Sequence, residues 1–287
     1  VEGFFGQDRI MVLNHRKRLL QSKRELQIVR QGILKWKDAH NPYVGVEFIP
    51  DENGWIKIAE EPEVDDKETV YANLYYAGAD SYDQDEARTS KSKGAFYIRK
   101  SYLKESKTGL YRCYVAQIVE RPSVSEGGAE RFYEHCAMAC IFFRAMVNIE
   151  YSNLRIFQWL EDHNFEALLM PRPQIALAGR VLNTQVTNRY GTDKSLKPHI
   201  LAILRDVLTD EFIDRMFFIE QVDALAKFRY DPSGKKYNCD ITIATAEAEI
   251  AAKEYELVAA RSSNEKSLKK GILVTRMVDG QLINKVI

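Results

Sequence analysis

Apolar residues recur at near-helical spacing through residues 8–37, at Ile10, Val12, Leu13, Leu19, Leu20, Leu26, Ile28, Val29, Ile33 and Leu34. The stretch has no proline and one glycine, Gly32, so it predicts a helix with a weak point there. Two apolar segments follow, residues 44–50 and 55–59, on either side of Asp51-Glu52-Asn53-Gly54. Asn-Gly tolerates positive φ, so the pair predicts a β-hairpin, and the acidic run 60–68 after it predicts a linker.

From residue 70 the pattern changes. Strands are predicted at 71–80, 94–102 and 110–120, as an antiparallel meander. A helix at 128–146 carries an apolar stripe of Phe132, Cys136, Ala139, Phe143 and Met146. A short strand at 147–152, a helix at 153–164 with Asn153 as its N-cap and a second short strand, "EALLMP", come next. Helices follow near 195–208, with Pro198 in the first turn, and at 216–230. The loop "DPSGKKYNC" leads into a long Ala/Glu-rich helix from Asp240 to about Ala260. The tail 272–287 predicts a second hairpin, turning at Asp279-Gly280. This order predicts an α/β protein built on a mixed sheet.

With 287 residues, 45% hydrophobic and 29% charged, the chain has enough apolar surface for a sizeable core. Its formal net charge is zero, but the charge is uneven: residues 1–42 carry nine Lys/Arg against four Asp/Glu, and residues 51–68 two against eight. The basic residues Arg16, Lys17, Arg18, Lys23 and Arg24 fit either a DNA-facing surface or a solvated helix face. Cys113, Cys136, Cys140 and Cys239 form no CxxC pair and are expected to be free and buried. No apolar run reaches the ~20 residues of a membrane helix, so a cytosolic protein is expected. The opening Val1 is expected to mark an excised piece of a longer chain.

Three carboxylates stand at chemically useful places. Asp80 ends the first strand of the meander, with Asp83, Asp85 and Glu86 just beyond it. Glu150 lies on the polar face of the strand after the first long helix, and Asp240 stands at the start of the last helix. Each has an ordinary role open to it, as turn former, polar strand residue or N-cap. Together, the three elements are those that converge in a ribonuclease H-like fold, whose carboxylates hold divalent ions. Hard oxygen donors suit Mg²⁺ or Mn²⁺, and a two-ion site suits phosphodiester hydrolysis.

Residues 70–260 resemble the C-terminal nuclease domain of the large terminase subunit of tailed bacteriophages. "YYAGAD" matches the family's first strand with its terminal acid, Asp80. "NIEYSN" matches the strand of the second acid, Glu150. Gly191, Thr192 and Lys197 match its Gly-Thr-Lys segment, and "FRYDPSGKKYNCDITIATAEA" matches the strand, variable loop and Asp240 opening the last helix. The resemblance implies a ribonuclease H-like mixed sheet flanked by helices. An N-terminal helix/hairpin appendage (1–69) would connect it to an absent ATPase half, and a basic hairpin tail (261–287) would follow. It implies a metal-dependent endonuclease cleaving double-stranded concatemeric DNA, with Asp80, Glu150 and Asp240 as ligands of two Mg²⁺ or Mn²⁺ ions. Lys197 would then approach the scissile phosphate.

One departure from the family is Cys239-Asp240 where paired aspartates are common, so one auxiliary ligand is either missing or replaced by Asp231, Asp83 or Asp85. Lys197, Arg229, Lys235, Lys236, Lys266, Lys269 and Lys270 are candidate phosphate contacts or plain surface charges. The family also implies the portal and the small terminase subunit as partners, in the host cytoplasm and at the procapsid portal. No GxxxxGK[ST] occurs, so no ATPase activity is expected. Another ribonuclease H-like nuclease of resolvase or transposase type, or a non-catalytic DNA- or portal-docking module, is the alternative reading.

Overall fold

The computed structural model describes residues 8–83, 93–101, 106–109, 113–151, 154–173, 189–193, 197–208, 210–228, 239–268, 273–278 and 281–286. The chain begins with helices α1 (Asp8–Ser22) and α2 (Arg24–Ile28), then strands β1 (Arg30–Trp36), β2 (Val46–Pro50) and β3 (Ile56–Ile58). The meander follows as β4 (Tyr75–Asp80), β5 (Gly94–Lys100) and β6 (Tyr114–Glu120). After it come α3 (Gly128–Phe143), β7 (Met146–Tyr151), α4 (Arg155–Asp162) and the two-residue β8 (Thr192–Asp193). Helices α5 (Lys197–Val207), α6 (Asp210–Ile213), α7 (Ile219–Lys227) and α8 (Asp240–Leu268) precede a two-stranded hairpin, β9 (Leu273–Val278) and β10 (Gln281–Val286).

Eight strands make one mixed sheet in the order β2-β1-β3-β6-β5-β4-β7-β8. Strands β4, β5 and β6 pair antiparallel as the pattern predicts, whereas β7 runs parallel to β4, and β8 parallel to β7. The central strands β4, β5, β6 and β7 are buried on both faces. One face packs Ala77, Ala79, Phe96 and Val147 against Phe132, Cys136, Cys140 and Phe143 of α3 and Ile156 and Leu160 of α4. The other packs Ala95, Tyr97 and Tyr114 against Leu201 and Leu204 of α5, Val222 of α7 and Ile243, Ala246 and Ile250 of α8. Fold class is therefore α/β, with a mixed sheet flanked by helices.

The N-terminal third departs from the sequence reading. Residues 30–36 form a strand, not the end of a helix: Val29 is already extended (φ −86°, ψ 126°), and Leu34 is buried while Gln31 and Lys35 face out. The predicted hairpin is not one, because β2 and β3 each pair with β1, which lies between them. Gly54 is needed for close approach: a Cβ there would fall 2.0 Å from the Gly32 carbonyl oxygen. Strand β3 then pairs with β6, so these strands extend the main sheet.

The acidic run 60–68 is anchored rather than free. Lys100 is fully buried, and its ammonium donates to Glu60 (2.5 Å) and Glu63 (3.0 Å) and to Thr108. Burial raises the Glu63 pKa, but hydrogen bonds from the Lys107 N–H, Lys100 and Ser106 outweigh it and bring the value to about 2. Two smaller elements also differ from the sequence pattern. Helix α3 stops at Phe143, because Arg144 turns left-handed (φ 51°), and Met146 belongs to β7. "EALLMP" is a 3-10 turn over Glu166–Leu168, with a single bridge from Leu169 to Val147 instead of a strand. Asn153, the predicted N-cap of α4, lies outside the described residues, as does the turn at Asp279-Gly280.

Candidate metal centre at the end of the sheet

Strand alternation fixes where the acids point. In β4, Ala77 and Ala79 face α3, so Tyr76, Gly78 and Asp80 face α8. Gly78 lets that helix down onto the strand: a Cβ there would meet the Ala248 nitrogen at 2.1 Å and the Ala244 oxygen at 2.2 Å. Tyr76 packs on Ala251 and Ala252. Helix α8 therefore runs antiparallel to β4, and its N-terminus lies over the end that carries Asp80.

Strand β7 repeats the arrangement beside it. Val147 and Ile149 belong to the α3 core, so Asn148 and Glu150 face α8. Asn148 confirms it by donating to Glu247 of α8 at 2.5 Å. The parallel register pairs Gly78 with Asn148 and Ala79 with Ile149. Asp80 and Glu150 are the next step on neighbouring strands, which lie about 4.8 Å apart. Both are buried, at 8% and 5% exposure. Asp240 opens α8, where a carboxylate suits the positive end of the helix. One of its oxygens accepts from the backbone N–H of Lys93, just before β5, at 2.9 Å. Lys93, Cys239, Asp240 and Glu220 line a cleft of about 220 Å³ at this end.

The three carboxylates thus share one face and one end of the sheet, but the gathering is incomplete. Among the described residues, no three His, Cys, Asp or Glu side chains stand close enough together to hold a metal ion. Asp240 is drawn toward the start of β5, whereas Asp80 and Glu150 lie on the β4–β7 side. The all-oxygen donor set fits a hard divalent cation in kind. Asp80 and Glu150 are the two best placed for one.

The other predicted residues divide between two fates. Asp83 is turned to the opposite layer, where it accepts from Tyr133 (3.4 Å) and its carbonyl accepts from Arg155 (3.0 Å). Burial raises its pKa, against the lowering effect of those two partners. Asp85, Asp231, Arg229, Lys235, Lys236, Lys269 and Lys270 lie outside the described residues. Lys197 opens α5 as expected and Lys266 lies in α8, with side chains outside the described set. Gly191 (φ 72°) sits against β7, where a Cβ would be 2.5 Å from the Ile149 oxygen, and Thr192 follows fully buried. In α1, Arg16 pairs with Asp223 and Arg18 with Asp214, and Arg24 lies over the Phe217 ring.

Sequence reasoning missed the polar layer beneath the acids. Asn148, Thr192 and Glu247 are all fully buried, with Asn148 Nδ2 donating to Thr192 Oγ1 at 2.9 Å as well as to Glu247. Further along α8, Glu249 accepts from Arg99 (2.7 Å) and from the Tyr114 hydroxyl (2.5 Å). The neighbouring Glu249 carboxylate keeps Arg99 charged despite its burial. The available signal was the alanine pattern: Ala244, Ala246, Ala248, Ala251 and Ala252 surround these glutamates. A helix that small on every side is packed on every side.

Fold and site together define an α/β protein whose mixed sheet ends, on one face, in acids from two adjacent parallel strands and a helix N-terminus. No protein-family model matches the chain, and no curated protein matches it either. Among the described residues, no helix is long and apolar enough to cross a membrane.

Proposed function

We propose that the chain is a metal-dependent endonuclease with a ribonuclease H-like fold, the nuclease domain of a phage large terminase subunit. It would cut double-stranded concatemeric DNA during genome packaging. The observation that carries this reading is the placement of Asp80 and Glu150 at neighbouring positions of β4 and β7, on the face that α8 covers from Asp240 onward. The strand order β6-β5-β4-β7-β8, three antiparallel strands and then two parallel ones, agrees with a ribonuclease H-like sheet.

In this reading Asp80 and Glu150 hold the cation from the sheet, and Asp240 closes the site from the helix. Bound Mg²⁺ or Mn²⁺ supplies charge neutralisation at the phosphate and lowers the pKa of a water. Glu247, Asn148 and Thr192 hold β7, β8 and α8 in register beneath the acids. Lys197, at the start of α5, neutralises a phosphate oxygen. The ATPase half, the portal and the small terminase subunit are the proposed partners, in the host cytoplasm and at the procapsid.

The test is nicking of supercoiled plasmid with Mn²⁺, Mg²⁺ or EDTA, for the wild type, Asp80→Asn and Asp240→Asn. Cutting that needs the metal and is lost in both variants is expected. Absence of cutting by the wild type, or cutting indifferent to EDTA, overturns the proposal. The incomplete gathering of the acids favours a second reading, a non-catalytic DNA- or portal-docking module. That reading gains if Asp80→Asn and wild type bind DNA alike and neither cuts.

A further inference from the structure

On the side of the sheet away from the acids, a groove of about 510 Å³ lies between the segment after β1, the start of α3 and the end of α4. One wall is aromatic. Trp36 and Phe165 stack with ring centres 5.9 Å apart and planes 8° from parallel, Trp159 stacks on Phe165 at 6.0 Å and His163 on Trp159 at 4.1 Å, so Trp36 is the aromatic end of the stack. Glu126, Glu130 and Glu134 line the groove at four-residue intervals, together with Arg131.

Internal bonds use part of this acidic lining and leave part of it open. Glu134 is committed, to the Trp36 indole N–H (3.0 Å) and to Arg131 (2.6 Å). Glu126 receives the Ser123 N–H and hydroxyl through Oε2, and Glu130 receives Arg155 through Oε1. The second oxygens of Glu126 and Glu130 have no hydrogen-bond partner among the described residues. Apolar side chains more than half exposed stand in the flanking segments: Tyr43 and Val44 after Pro42, Val124 before Glu126, and Leu154 beside Arg155.

We infer that this groove docks an arginine-bearing, partly apolar peptide segment of a partner protein. A guanidinium is planar, so it stacks on an indole or phenyl face while its N–H fork meets carboxylate oxygens. The groove lining combines the Trp36 ring with the open oxygens of Glu126 and Glu130, and the exposed apolar rim suits the residues flanking the arginine. Its volume falls within the range of roughly 300–1,000 Å³ typical of ligand sites, enough for an anchor side chain and its neighbours.

The test is selection of a random heptapeptide display library on the intact immobilised chain, followed by tryptophan-fluorescence titration of the consensus peptide. Enriched peptides are expected to carry arginine next to an apolar or aromatic residue and to bind saturably. Replacing that arginine by citrulline, the neutral isostere, weakens binding at least 10-fold, as does Glu126→Gln/Glu130→Gln in the protein. Glutamine keeps the Ser123 cap, and an unchanged circular-dichroism melt separates lost docking from lost folding. Failure to enrich any sequence, enrichment without a cation, or indifference to the double substitution overturns the inference. So does self-association through the groove, seen as a dimer in sedimentation that the double substitution dissolves.

Discussion

Gly78→Ala tests the packing that brings the helix to the acids. The added Cβ would lie 2.1 Å from the Ala248 nitrogen, 2.2 Å from the Ala244 oxygen and 2.7 Å from the Glu247 carbonyl carbon. All three are backbone atoms of α8, so no side chain can swing aside. Restoring an ordinary contact near 3.4 Å moves the helix off β4 by about 1.3 Å. Overpacking costs about 1–3 kcal/mol where side chains can adjust, so a backbone clash on this central helix belongs at about 3 kcal/mol or above. For a chain of this size that corresponds to a melting point lowered by about 6–12 °C. Urea denaturation followed by far-UV circular dichroism, with a thermal melt alongside, measures both. Gly109→Ala is the control: its φ is +56° with nothing within 4 Å, so the substitution costs only about 1 kcal/mol, from left-handed backbone strain. A Gly78→Ala protein within about 1 kcal/mol of wild type would refute the helix–strand approach argued here.

Three further outcomes are expected. The Glu63 pKa is depressed from 4.5 to about 2, so its contribution to stability is complete above pH 4.5 and is lost as pH falls toward 2. The melting-point gap between wild type and Glu63→Gln should close over that window; a constant gap would sink the assignment. Asn148→Asp sets two buried carboxyl groups against each other, and adding Glu247→Gln restores a donor and an acceptor with roles exchanged. The double-mutant cycle should give a coupling of about 1 kcal/mol or more, and additivity would show that the 2.5 Å bond does not hold the layers together. Lys197→Ala should lower plasmid cleavage with an unchanged melt, and undiminished cleavage would remove Lys197 from the proposed machinery.

The central meander, α3, β7 and α8 were legible because their patterns are local: alternation for strands, a stripe for α3, an aspartate before an alanine-rich run. What failed was long-range pairing. Residues 30–36 satisfy a helical period well enough, and only their partners β2 and β3 make them a strand. Asn53-Gly54 carries a hairpin signature, yet Gly54 serves a close crossing over Gly32 that no local pattern encodes. The acidic run 60–68 looked free because its partner Lys100 lies beyond β4 in sequence. At the site, the three acids were singled out by their positions at or near element ends, which the structure keeps for Asp80, Glu150 and Asp240. Glu247 and Glu249 were passed over because glutamate in a helix is ordinarily a surface residue, and their burial depends on strands more than 90 residues away.

Topology gives a reason for the acids' address that does not depend on any motif. From β4 the chain proceeds to β5 and β6 on one side of the strand and, after α3, returns to β7 and β8 on the other. The connections out of β4 and β7 thus run to opposite sides of the pair, the topology that in open α/β sheets places a crevice beyond the carboxyl ends of parallel strands. Asp80 is the last residue of β4, and Glu150 is next to last in β7. An antiparallel neighbour could not have placed them so, because β5 delivers its first residues, Gly94 and Ala95, to that end. Helix α8 descends on the same strand through Gly78 and so presents Asp240 from above. That end of the sheet is where the sequence has put its carboxylates.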